Sequence, residues 1–186
     1  LNGWPARITR ALAALSSVSP QETGAPAAVL VPLVLAEHGP LLWLVRRSSN
    51  LRHHPGQIAL PGGKHDPADA GPQETALREA NEEIRLPPAQ VQVLGQLPPR
   101  LTSSRFLVVP VVGLVPAWFT PVPQPGEVDR VFLAPLRDFE GPGELRVPPS
   151  MPERGPVPSY FTQGEVVWGA TAAILATLAR ACRDVQ

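Results

Sequence analysis

Leu60-Pro61-Gly62-Gly63-Lys64, followed by Pro72-Gln73-Glu74-Thr75-Ala76-Leu77-Arg78-Glu79-Ala80-Asn81-Glu82-Glu83-Ile84-Arg85-Leu86, sets a glycine turn ahead of a helix crowded with acid. Pro72 suits the first helical position, where its missing N–H is not needed, and Glu74 puts negative charge near the positive end of the helix. Pro87 and Pro88 stop the helix after about Arg85. At 100° per residue Glu79, Glu82 and Glu83 fall at about 0°, −60° and +40°, so three carboxylates share an arc of roughly 100°. Leu77, Ala80 and Ile84 form the adjoining apolar stripe that seats the helix on a sheet.

Glu79 and Glu83, at i and i+4, repel each other by about 0.2–0.5 kcal/mol when exposed. Taken alone, the helix has two readings. One is a solvated face carrying a Glu/Arg ladder, with Arg78 paired to Glu74 and Glu82. The other is a set of hard oxygen donors relieved by a divalent cation, with Mg²⁺ suited to few carboxylates, retained waters and substrate phosphates. The glycines move the balance toward the second, because a backbone without Cβ can approach a phosphate or offer a carbonyl to a metal. A P-loop is excluded, since neither its glycine spacing nor a Ser/Thr after Lys64 is present.

Working outward, Ile8, Ala11, Leu12 and Leu15 predict an amphipathic helix from Pro5 to Leu15, followed by a Pro20–Pro26 linker. Ala27–Ala36 and Leu41–Arg46, joined by Glu-His-Gly-Pro, predict an antiparallel hairpin. Leu51–Asp69 reads as a polar loop. Val91–Leu97, Phe106–Val115 and Val128–Leu133 read as further strands, Gly141–Pro158 as irregular, and Glu165–Cys182 as a buried closing helix. The order predicts one α/β domain over 1–186, a mixed sheet between helices, with 1–26 as helix and linker.

The 186 residues carry 16 basic and 16 acidic side chains, so no long-range field favours a polyanion and no nucleic-acid partner is expected. A lone Cys182 forms no internal bridge, which argues against a disulfide-stapled scaffold. The longest apolar runs fall short of the roughly 20 residues a membrane span needs, and no secretory leader is read. A cytoplasmic protein with no membrane partner is expected. The 25 prolines are scattered between apolar runs, which predicts stiff loops rather than a polyproline ligand.

Gly63–Leu86 resembles the Nudix box, G-x5-E-x7-R-E-U-x-E-E-x-G-U with U aliphatic, and Arg78-Glu79-Ala80-Asn81-Glu82-Glu83 matches its centre. Asp69 replaces the first Glu, one additional residue separates it from Arg78, and Arg85 stands in place of Gly. The first two departures are similar to the coenzyme A pyrophosphatase branch. That branch's upstream signature, L-L-T-x-R-(S/A)-x3-R-x3-G-x3-F-P-G-G, is met by Arg47-Ser48, Arg52, Gly56 and Pro61-Gly62-Gly63 at the right spacings. Val45, Trp43 and Leu60 depart from it. Val167-Trp168-Gly169-Ala170-Thr171-Ala172 is similar to the branch's closing helix.

The resemblance implies an α/β/α sandwich and metal-dependent hydrolysis of the coenzyme A diphosphate, giving 3′,5′-adenosine bisphosphate and 4′-phosphopantetheine. It implies Mg²⁺ or Mn²⁺ on Glu79, Glu82, Glu83 and the Gly63 carbonyl, with Arg78 in the catalytic box. Glu79 and Glu127 stand equal as general base. Arg47, Arg52, Gln57, Gly62, Gly63 and Lys64 are the substrate-contact candidates, Arg being suited to bidentate phosphate contact. Adjacent His53 and His54 lack zinc spacing. Trp168 is expected in the core, Tyr160 and Phe161 are candidates to stack on adenine, and Cys182 is expected to be inert. The alternatives are a pyrophosphatase for ADP-ribose or a dinucleotide, and a non-catalytic ligand-binding module. The oligomeric state is left open.

Overall fold

Pro32, a residue without an N–H in the middle of the longest apolar strand, marks the place on which the architecture turns. The computed structural model describes residues 3–15 and 23–185. Its helices are α1 (Trp4–Leu15), α2 (Pro72–Ile84) and α3 (Gly169–Asp184). Its strands are β1 (Ala25–Ala36), β2 (Gly39–Arg47), β3 (Ile58–Ala59), β4 (Gly62–Lys64), β5 (Gln92–Gln96), β6 (Arg100–Leu101), β7 (Phe106–Leu114), β8 (Val128–Pro135), β9 (Glu144–Arg146), β10 (Val157–Thr162) and β11 (Glu165–Trp168).

β1 and β2 form the predicted antiparallel hairpin from Ala36↔Gly39 to Leu33↔Leu42. Their pairing then stops. Farther along the same edge of β1, Ala27–Val29 pair with β4 instead, and the Leu30 N–H donates to the Pro61 carbonyl at 2.8 Å. Backbone direction alternates along a strand, so Pro32 turns its missing donor toward this same edge, where neither β2 nor β4 lies opposite. β2 swings away to pair with β3 and β8. The glycine turn is wedged into the resulting fork.

The other edge of β1 runs parallel to β7 from Ala25↔Phe106 to Leu33↔Leu114, which makes the sheet mixed, as expected. Beyond β7, β5 and β6 pair with it on either side of Pro110, again a proline at a gap in the ladder. Alternation along β1 sends Ala28, Leu30 and Val34 to one face, against Ala76, Ala80 and Ile84 of α2. Val31 and Leu33 face the other way, toward Ile8 and Leu12 of α1 and Leu175 and Leu178 of α3. The result is the α/β/α sandwich, with α2 alone on the site face.

Three expectations are corrected. Leu51–Asp69 is not loop throughout but holds β3 and β4, too short to show any hydrophobic period. Gly141–Pro158 contains β9 and the start of β10, which with β11 make a small antiparallel sheet. The closing helix begins at Gly169, not Glu165: Val166, Val167 and Trp168 are β-formers in β11, and Gly169 at φ 68 takes the left-handed turn into α3. The linker before β1 lies outside the described residues as far as 22. Among the described residues no helix is long and apolar enough to cross a membrane.

Candidate functional site

The acid-rich helix is fastened to the glycine turn through one arginine. Arg78 makes a bidentate contact with Asp69, Nε to Oδ1 at 3.0 Å and Nη2 to Oδ2 at 3.1 Å. The same guanidinium donates to Glu79 Oε1 at 3.0 Å, to both Glu82 oxygens at 3.2 Å, and to the Lys64 carbonyl at 3.0 Å. Arg78 therefore binds loop to helix. It is not paired with Glu74, whose carboxylate instead accepts from the Ala70 N–H at the helix start.

Asp69 is buried and also accepts from the Thr75 hydroxyl at 2.8 Å and the Asp66 N–H at 3.0 Å. Its hydrogen bonds from Arg78 hold its carboxyl well below the ordinary value, with Asp66 and Thr75 acting the same way and burial opposing them. A carboxyl depressed in the fold contributes stability that is present above the ordinary carboxylate range and lost as pH falls through and below it. Denaturant unfolding of wild type is therefore expected to weaken below about pH 4, and Asp69→Asn to flatten that part of the dependence. An unchanged acid limb in the variant would show that another carboxylate governs it.

Glu83 is 5% exposed and lies under the turn. Its Oε2 accepts from the Gly62 N–H at 3.1 Å and its Oε1 is 3.7 Å from Arg47 Nη1. Burial pushes its carboxyl up to about 7; the Gly62 N–H and Arg47 pull it down, and the charges of Glu79 and Glu127 push it further up. Glu79 is half-buried and likewise raised, by burial above all, against Arg78 and with help from Glu82 and Glu127. Gly63 is fitted to it: a Cβ there would fall 2.5 Å from Glu79 Oε2. Glu82 is the outlier. Its side chain is 55% exposed and is turned to Arg78.

Glu127 stands on the loop before β8, and its position is fixed by backbone bonds that sequence reasoning had no signal for. The Gln124 N–H donates to the Glu83 carbonyl at 2.8 Å, the Val122 N–H to the Ile84 carbonyl at 3.0 Å, and the Ser48 N–H to the Glu127 carbonyl at 2.8 Å. The loop thus caps the end of α2 and brings a fourth carboxylate within electrostatic reach of Glu79 and Glu83. Among the described residues no three His, Cys, Asp or Glu side chains are drawn together at ligating distance. Arg78 lies between Glu79 and Glu82.

Arg85 does occupy the left-handed position that ends α2, at φ 58 and ψ 32, where a non-Gly residue costs about 1–2 kcal/mol. Its Nη2 donates to Gln124 Oε1 at 2.6 Å, an exposed contact worth less than that strain. Arg85→Gly is expected to leave the melting temperature unchanged or raise it, since the backbone bonds of the 122–127 loop remain. Marked destabilisation would make the Gln124 contact the larger effect.

On the α3 side of the glycine turn a cleft of about 430 Å³ opens, lined by Arg47, Gln57, Gly62, His54, Arg154 and Trp168 among others. Of the expected contact residues it gathers Arg47, Gln57 and Gly62. Arg52 is exposed on the 48–57 loop outside the lining, and Lys64 directs its ammonium to the Phe106 ring at 5.5 Å. Trp168 is 4% exposed yet forms part of the wall, with Arg154 over its ring at 5.5 Å. Tyr160 is core: it packs on Phe139 and donates to the Gly141 carbonyl, which removes it as a stacking platform. Phe161 is exposed beneath Arg146, and Cys182 is buried, its thiol pushed up to about 11 by burial.

Residues 24–153 match the family model described as NUDIX domain. An uncharacterized Nudix hydrolase NudL from Pectobacterium atrosepticum is 44% identical over 173 residues, covering 90% of this chain and 88% of the relative. Another NudL, from Yersinia enterocolitica, is 45% identical over 159 residues, covering 83% and 80%. Among solved structures, a C. elegans Ap4A hydrolase binary complex superposes at TM-score 0.51 over 61% of this chain and 82% of that one, at 18% identity.

Proposed function

The chain belongs to the Nudix hydrolase family, and from that premise we propose that it hydrolyses the diphosphate of coenzyme A or its derivatives, releasing 3′,5′-adenosine bisphosphate and 4′-phosphopantetheine. The observation that carries the substrate is the cleft beside the carboxylates: Arg47, Gln57 and Gly62, on the segment that resembles the coenzyme A signature, line it with Trp168 and Ile174, and Arg47 and Gly62 reach Glu83 from its edge. A ligand with a charged centre and a long, weakly polar arm suits such a lining.

The donor set fits a divalent ion, Mg²⁺ or Mn²⁺. Glu83 is a buried carboxylate repelled by two others and answered only by one N–H and a guanidinium 3.7 Å away. Hard oxygen donors of this kind take hard cations. Glu79, Glu82, Glu83 and the Gly63 carbonyl would hold the ion, and Glu82 would leave Arg78 to do so. A bound ion supplies neutralisation of diphosphate charge and a more acidic water. Arg47 orients a phosphate oxygen, Arg78 keeps the helix in register with the turn, and Glu127 takes the proton of the attacking water. Glu127 is preferred to Glu79 as base because Glu79 is already bound by Arg78, whereas Glu127 is exposed and makes no ion pair among the described residues.

The test is side-by-side turnover of coenzyme A, ADP-ribose and a dinucleoside polyphosphate with Mg²⁺, products separated by chromatography. Coenzyme A is expected to give the highest kcat/KM. Faster turnover of either competitor would overturn the substrate; binding without any product would overturn catalysis.

A further inference from the structure

The cleft beside the glycine turn is one-signed. Its charged lining residues are Arg47, Arg100 and Arg154, and among the described residues no Asp or Glu lines it. This is notable in a chain with 16 acidic and 16 basic side chains. Several arginines elsewhere have carboxylate partners: Arg46 and Arg130 share Glu165, Arg146 meets Glu144 and Arg183 meets Asp184. Arg47 has Glu83. Arg100 and Arg154 make no ion pair with any described residue.

Arg100 lies away from the carboxylates. β4, which carries the turn, is followed across the sheet by β1, β7 and then β6, which carries Arg100. Three strand spacings of about 4.8 Å put the two backbones about 14 Å apart, and an arginine side chain reaches part of the way back. The turn from β6 to β7 adds Thr102, Ser103 and Ser104 to the cleft wall; the Thr102 hydroxyl is held within the turn by Phe106 and Ser104, while Ser103 and Ser104 are exposed. Arg154 joins the same lining over the Trp168 ring. It is close enough to His54 that, with Arg47, it lowers that imidazole's affinity for a proton, after burial. Cations that line one cleft without a counter-charge give it a positive potential, which an anion relieves.

We propose that Arg100, Arg154 and the Ser103 and Ser104 hydroxyls form a second anion subsite, which takes a phosphate monoester carried by the ligand apart from the diphosphate that is cleaved. The inference rests on the reading of the chain as a nucleotide diphosphatase. It adds that a ribose phosphate is a determinant of which diphosphates enter. Guanidinium and hydroxyl donors match a phosphate dianion, and the subsite has no means of its own to distinguish the 2′ from the 3′ ester.

Isothermal titration with 5′-AMP, 2′,5′-adenosine bisphosphate and 3′,5′-adenosine bisphosphate tests it without any turnover. At least one bisphosphate is expected to bind about 10-fold or more tighter than 5′-AMP, the scale of one charge-assisted phosphate contact. In an Arg100→Gln/Arg154→Gln double variant, checked for folding by its melting curve, that ratio is expected to fall to about 2 or less. Both arginines are exposed, so the fold tolerates the change. Equal binding of all three ligands by wild type, or a ratio that survives the double substitution, would overturn the subsite. Which ester binds tighter separates the two sources of the phosphate. A preserved preference together with no hydrolysis of coenzyme A would retire the proposed substrate and leave the subsite standing; hydrolysis of coenzyme A with no preference would do the reverse.

Discussion

Glu83→Gln is expected to lower kcat by about 10²-fold or more while leaving the protein folded. The amide oxygen can still accept the Gly62 N–H, so the turn keeps its anchor. What disappears is the negative charge, which in the wild type is held in a buried place against the repulsion of Glu79 and Glu127. That unfavourable placement is the argument for function: a carboxyl raised to about 7 by burial weakens the fold when it ionises, so removing its charge relieves the fold at alkaline pH. The melting temperature at pH 8 is expected to stay within about 3 °C of wild type or rise, because loss of the 3.7 Å Arg47 pair costs about 1 kcal/mol at most. Near-normal turnover by the variant would remove Glu83 from the chemistry. A collapse of the melting temperature would instead make the carboxylate a structural strut.

Gly62→Ala is expected to act on the fold itself. A Cβ there would lie 2.4 Å from the Ala28 carbonyl oxygen and 2.6 Å from the Val29 Cα, both backbone atoms of the central strand. Gly63 differs: its added Cβ would meet the end of the Glu79 side chain, which can move aside. Relief at Gly62 requires β4 to leave β1, which breaks the Ala27–Val29 ladder and the Gly62 bond to Glu83 together. Overpacking and a backbone unsuited to a side chain add to about 3 kcal/mol or more, a fall of roughly 6–12 °C in the melting temperature of a chain this size. A thermal melt with a shift under about 2 °C would show that the turn is not wedged in place.

Much of this was legible in the chain. The helix from Pro72, its apolar stripe, the hairpin and the five long strands follow from periodicity and proline placement, because each buries a face large enough to leave a pattern. Arg85 was readable as a departure from the motif's Gly, and the structure adds that its backbone is left-handed. What escaped were β3, β4, β6 and β9, elements of two or three residues that exist only because a neighbouring strand offers them a ladder, and the longer β10 and β11, the second of which reads on into the apolar run of α3 without a break. The carboxylates illustrate the same limit. An arc of 100° places Glu79, Glu82 and Glu83 together, but spacing says nothing of the arginine among them, and only the tertiary fold turns Glu82 outward and Glu83 beneath the turn. Arg78 was expected to reach Glu74 and Glu82; it does reach Glu82, but in place of Glu74 it takes Asp69, nine residues away across a loop whose path no local signal reveals.

Pro32 has a bearing on how the molecule assembles. The β1–β2 hairpin can close from its tip residue by residue like a zipper, and Pro32 is the first tooth it lacks after Leu33↔Leu42. Closure halts there, before the two strands can seal against each other along their whole length. The opening that receives Pro61, Gly62 and Gly63 is in this way kept free by an imino acid rather than by the residues that fill it.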